Sequence, residues 1–163
     1  HSIGRRDPGL RQRWLAIVIA VDSSALVAVV LGEPDAEDML MQLTSRAAIV
    51  GAPTLLEASM VVEARQGPDA TRDLALLVSG AIEEVVPFDD NHARVALEAW
   101  RAYGKGRHPA GLNFGDCLTY ATAHVAGLPL LFKGEDFTKT DLGVALRPRP
   151  GHRETPNDRE QAP

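Results

Sequence analysis

The sequence predicts an α/β fold with a central, mostly parallel twisted sheet flanked by helices. Three observations carry that reading. Short runs rich in Ile, Val and Leu alternate with longer amphipathic stretches, the pattern of strands joined by helical crossovers. Apolar residues make up 45% and charged residues 24% of the 163, ordinary values for one globular domain. Aromatics are only 5%, so the core is built from Ala, Val and Leu, and the composition argues against a base-stacking platform of exposed rings.

The elements follow in order. Leu15–Val21 is a continuous apolar run and reads as a buried strand. The four arginines ahead of it also give the outline of a secretory signal, and 14–31 the outline of a membrane span. Asp22 argues against a span, since an Asp at mid-membrane costs about 2.5 to 3.5 kcal/mol. The expectation is a soluble, cytoplasmic chain that keeps residues 15–25. Ser23–Leu31 and Asp35–Arg46 read as helices, and Ala47–Gly51 as a second strand. Pro53 suits a first helical turn, with the helix continuing through Thr54–Arg65. Thr71–Ser79 reads as a helix and Ile82–Phe88 as a strand. Asn91–Tyr103 is an amphipathic helix, Gly104–Gly111 a loop, and Asn113–Ala126 a helix stopped by Gly127 and Pro129. Leu128–Phe132 reads as the last strand.

The ends differ from this body. Residues 1–14 read as a basic arm or cloning remnant, and the Pro- and Arg-containing 147–163 as a disordered tail. The arm carries a net +3 and the tail +1, which leaves −9 on residues 15–146. An acidic body does not bind nucleic acid unaided, because phosphate contacts need cations. The single Cys117 excludes a disulfide framework and a cysteine-based zinc site.

Four acids share one topological address. Asp22 directly follows the first strand, and Glu57 and Asp116 fall in the first turns of their helices. Asp136 follows the last strand. In an open parallel sheet the carboxyl ends of strands and the N-termini of the next helices form one edge, where ligands bind. Each acid also has a local explanation as a helix cap, and Asn113-Phe114-Gly115-Asp116 has the form of a capping box. Clustered carboxylates repel by roughly 4 kcal/mol per pair at 4 Å and an effective dielectric near 20. Such a cluster is expected to bind a hard cation, Mg²⁺ or Mn²⁺.

The order and surroundings of these acids resemble PIN-domain nucleases, and in particular the VapC toxins of bacterial toxin–antitoxin modules. The resemblance lies in Val21-Asp22-Ser23-Ser24-Ala25-Leu26-Val27, in Glu57 within Pro53–Ser59, in Asp116 within Asn113–Ala121, and in Asp136 within Leu131–Phe137. It spans about residues 17–146. It implies a PIN-like three-layer fold and a metal-dependent endoribonuclease with Asp22, Glu57, Asp116 and Asp136 as catalytic and metal-binding acids. Ser24, Asn113 and Asp141 would support them, and Glu135 remains the alternative to Asp136. It also implies an RNA substrate, a cognate antitoxin and a homodimer.

Other residues have weaker claims. Arg101, Lys105 and Arg107 could contact substrate phosphates or be solvated charges. Lys133 could reach phosphate or pair with an acid. His92, His108 and His124 lack zinc-ligand spacing. The apolar stripe Leu26, Val27, Val30, Leu31, Met39, Leu40 and Leu43 mixes core with a possible partner surface. Two other readings compete: a Mg²⁺-binding receiver-like domain using Asp22, Asp89 or Asp90, and Lys133, and a catalytically inactive nuclease-like binding module.

Overall fold

The computed structural model describes residues 17–147. The expected basic arm, the first two residues of the first predicted strand and all but Arg147 of the expected tail lie outside the described residues. Elements run β1 (Val18–Val21), α1 (Ser23–Leu31), α2 (Ala36–Ser45), β2 (Ala47–Gly51), α3 (Ala52–Gln66), α4 (Pro68–Ala81), β3 (Ile82–Val86), α5 (Asp90–Tyr103), α6 (Phe114–Ala126) and β4 (Leu130–Leu131), followed by a 3-10 turn at Asp136–Lys139.

The four strands pair in the order β3-β2-β1-β4, all parallel. Strand alternation sends successive side chains to opposite faces. Ile19, Val21, Ala48, Val50 and Leu131 enter a core with α1 to α4, while Ala20, Leu130 and Phe132 enter a second core with α5 and α6. The result is three layers. Small residues at the strand centres, such as Ala20 and Ala48, let the helices come close to the sheet. β3 is one of the two edge strands, and its exposed Glu83 and Glu84 discourage pairing with another chain.

The observed elements match the expected ones with shifts at their ends. α3 and α4 begin earlier, each led by a Pro in its first turn. β4 is shorter, because only Leu130 and Leu131 pair with β1. Of the apolar stripe, Leu26, Val27, Met39 and Leu43 are core, Val30 and Leu31 are half-buried, and Leu40 is exposed.

Candidate active site

The acids are set by where strands stop. β1 ends at Val21, and the Asp22 amide donates to the carbonyl of Leu131 on β4 at 2.9 Å, so Asp22 stands at the carboxyl edge of the sheet's centre. Asp22 caps α1 and is 5% exposed. Its Oδ2 accepts from the Ser24 amide at 3.1 Å and the Ser24 hydroxyl at 2.6 Å. Its Oδ1 accepts from the Thr119 hydroxyl of α6 at 2.8 Å. The Ser24 Oγ in turn accepts from the Lys133 amide at 2.9 Å, which ties the loop after β4 to the first acid.

A second buried bond extends this frame. Thr54 on α3 lies 3.0 Å from Thr119, oxygen to oxygen. With the single Thr119 proton committed to the Asp22 carboxylate, Thr54 must be the donor. Thr54 precedes Glu57 by one turn, and Thr119 follows Asp116 by one turn. The relay from Thr54 to Thr119 to Asp22 thus locks together the three elements that carry three of the acids. Buried hydroxyls and a buried carboxylate are tolerable only when satisfied in this way.

Glu57 is half-buried, and its Oε1 accepts from the Ser23 hydroxyl at 2.5 Å. Burial pushes its carboxyl above the usual range, the Ser23 bond opposes this, and the Asp22 charge adds to it. Its Oε2 lies over the backbone of Gly115, only 2.0 Å from where a Cβ would stand. Residue 115 must therefore be glycine for Glu57 to take this position.

Asp116 is the third residue of α6 and completes a capping box. Its amide donates to Asn113 Oδ1 at 2.9 Å, and its Oδ2 accepts from the Asn113 amide at 3.0 Å. Its carboxyl is nevertheless pushed up to about 7, by burial first, then by the Asp22 charge, with Asp136 and Glu57 contributing. No basic side chain is among those causes. Asp136 opens the exposed 3-10 turn, which is anchored by the buried Phe137 against Phe132, ring centroids 5.2 Å apart. Asp136 acts on Asp116, whereas Glu135 is not among the groups that do.

The four carboxylates share one electrostatic neighbourhood without being drawn onto one point. Among the described residues, no group of three or more His, Cys, Asp or Glu side chains stands close enough to enclose a metal ion. The reason is local, since Asp22 is held by Ser24 and Thr119, Glu57 by Ser23, and Asp116 by the Asn113 amide.

The remaining candidates fall elsewhere. Asp141 accepts from the Tyr120 hydroxyl at 2.6 Å and lines a cleft of about 650 Å³ between α5 and α6. Asp141 is not among the charges acting on Asp116. Arg101 pairs with Glu98 at 2.8 Å, and the Arg107 guanidinium lies 4.0 Å over the Trp100 ring. Lys105 is exposed beside Leu112, to whose carbonyl its amide donates. Lys133 pairs through Nζ with Glu33, an acid outside the set. The receiver-like set is not assembled: Asp89 caps α5, and Asp90 pairs with Arg94. Cys117 is buried, with its thiol pushed up by burial and by the neighbouring Asp116, the opposite of a reactive thiolate. Sequence reasoning missed Ser23, Thr54, Gly115 and Thr119. A usable signal existed in the two threonines, which stand three residues from an acid on the same helix face.

Comparison with known proteins identifies the family and the fold. The PIN domain family model matches residues 19–142. Ribonuclease VapC30 of Mycobacterium tuberculosis is 42% identical over 131 residues, covering 80% of this chain and all of the relative. Ribonuclease VapC of Mycolicibacterium smegmatis is 44% identical over 127 residues, covering 77% of this chain and 98% of the relative. Among solved structures, Mycobacterium tuberculosis VapC20, a toxin that cleaves the sarcin–ricin loop, superposes with a TM-score of 0.65 at 20% identity. The match covers 80% of this chain and 99% of that one. VapBC2 of Rickettsia felis bound to a promoter DNA fragment superposes with a TM-score of 0.62 at 13% identity. That match covers 78% of this chain and 97% of the other.

Proposed function

Since the chain belongs to the PIN-domain family, with VapC ribonucleases as its relatives, we propose that it is an endoribonuclease toxin that hydrolyses RNA phosphodiester bonds with a divalent cation. The observation that carries this reading is the buried relay from Thr54 through Thr119 to Asp22, which ties together the elements that carry three of the four acids. A cognate antitoxin, a homodimeric state and a cytoplasmic location belong to the same proposal. No described helix is long and apolar enough to cross a membrane.

The donor set fits a hard cation. It is all carboxylate oxygen and partly buried, and burial first, with neighbouring carboxylate charge added, raises Glu57 and Asp116. Mg²⁺ or Mn²⁺ is the expected ion. Mg²⁺ keeps several waters and is often held by only one or two carboxylates plus substrate phosphate, so the acids need not close into a cage. Asp22, Glu57, Asp116 and Asp136 would hold the ion, which supplies a bound water of lowered pKa and offsets charge on the phosphate. Ser24 and Thr119 aim both oxygens of Asp22. Ser23 orients Glu57, and the Asn113 cap orients Asp116. Asp141 is a peripheral acid on the α5–α6 side, and Arg101, Lys105 and Arg107 are candidate phosphate contacts beyond the acids. The four acids also speak against an inactive binding module, which has no use for their repulsion.

Purified protein incubated with total RNA and Mg²⁺ or Mn²⁺ should give discrete cut ends that chelator abolishes. Undiminished cutting in chelator, or by Asp22→Asn, would overturn the proposal.

A further inference from the structure

The ring of Phe114 is placed where the fold has no use for it. It is 80% exposed, the highest value among the exposed large hydrophobic residues of the described chain. Its helix is fully started without it. The capping box uses Asn113 and Asp116, while Leu112 and Cys117, at the two staple positions flanking that box, are both buried in the second core. Phe114 itself occupies the first helical position, facing water.

Its neighbours give it a purpose. Phe114 adjoins Gly115, over whose backbone the Glu57 carboxylate lies, and stands two residues before Asp116. The backbone of the exposed Lys105 is tethered by its amide to Leu112, the residue before the cap of the same helix. An exposed flat ring therefore starts the helix that carries Asp116, next to the glycine over which the Glu57 carboxylate lies. A base and its own phosphate are separated by a ribose, a reach comparable with one helical turn, about 5.4 Å.

We propose that Phe114 stacks against a nucleobase flanking the scissile phosphate, as a residue that contacts substrate beside the acids. This rests on the ribonuclease reading. The ring contacts substrate in the ground state and the transition state alike, so its loss raises KM and leaves kcat nearly unchanged.

The test crosses protein and substrate changes. Cut sites are first mapped on unstructured RNA with Mn²⁺. Oligonucleotides carrying a single abasic position on either side of the cut are then compared for wild type, Phe114→Leu and Phe114→Trp. Phe114→Leu should lower kcat/KM on intact RNA by about 5- to 150-fold, the span of ~1–3 kcal/mol per stacked base. Phe114→Trp should retain activity. One abasic position should cost the wild type a similar factor and cost Phe114→Leu almost nothing further. Wild-type rates in Phe114→Leu, or losses that simply multiply at every position, would overturn the stacking role alone. Dissociation of an oligomer by Phe114→Leu without that coupling would place the ring in a protein interface and overturn it too. A wild-type chain that cuts no RNA with any metal would overturn the ribonuclease reading and this inference with it.

Discussion

Helices α5 and α6 begin with the same local device, and the outcomes are opposite. Each has a reciprocal capping box, Asp89 with His92 in α5 and Asn113 with Asp116 in α6. Hydrogen bonds from the His92 backbone and side chain pull Asp89 below the usual carboxylate range, and water surrounds it. Asp116 receives a comparable backbone hydrogen bond, yet burial and three neighbouring carboxylates push it up to about 7. The motif is the same in form, so the cap does not make the site. What differs is the tertiary address: α6 starts beside the end of β1, while Asp89 at the start of α5 stands in solvent.

The sharpest way to break this contrast is to neutralise an acid on each side. Asp22→Asn should lower RNA cleavage by roughly 10²- to 10³-fold or more, the scale of losing one oriented electrostatic group, with an unchanged circular dichroism spectrum. Asp89→Asn, an equally good N-cap, should cleave like wild type. Equal losses from both would mean that position at the sheet edge carries no special chemistry.

Geometry comes next. Gly115→Ala places a methyl against the end of the Glu57 side chain. That flexible end can swing away, so stability should change by no more than about 1 kcal/mol, while a displaced carboxylate should cost up to about 10²-fold in cleavage rate. Thermal melting and initial rates, measured together, separate the two. Thr119→Val keeps the shape but leaves Asp22 Oδ1 without its hydroxyl donor and Thr54 without its acceptor. A loss of about 1–3 kcal/mol is expected in denaturant unfolding, together with slower cleavage.

The smallest effect is on pH dependence. In metal-free protein, Asp116 has a folded pKa above its ordinary 3.8. Its contribution to stability is fully present below 3.8 and is lost as pH rises through about 7. Asp89 has the opposite sign: its contribution is present above its ordinary value and is lost as pH falls through the lowered one. Asp116→Asn should therefore stabilise the metal-free chain at pH 8 relative to wild type, on the order of 1 kcal/mol after solvent screening, and change little near pH 4. Melting curves at the two pH values check this, and a variant less stable at pH 8 would contradict it.

Most of the fold was legible because strand and helix periods are written locally. Ala47–Gly51 and Ser23–Leu31 are found where the apolar runs predict them. β4 is shorter than its apolar run, because only Leu130 and Leu131 find partners on β1. The four acids were legible as residues that follow strands or open helices. Ser24 and Asn113 were legible beside them, but Thr54 and Thr119 were not, since they are 65 residues apart and read singly as ordinary helical threonines. Phe114 was hidden for a different reason. A low aromatic content argues against a platform of rings but says nothing about where a single ring stands.

Manganese binding to the purified full chain, followed by electron paramagnetic resonance, tests the shared-acid claim most directly. A saturable site that is lost in Asp22→Asn and in Asp116→Asn but kept in Asp89→Asn is the predicted result. Binding that is the same in all four proteins would contradict it.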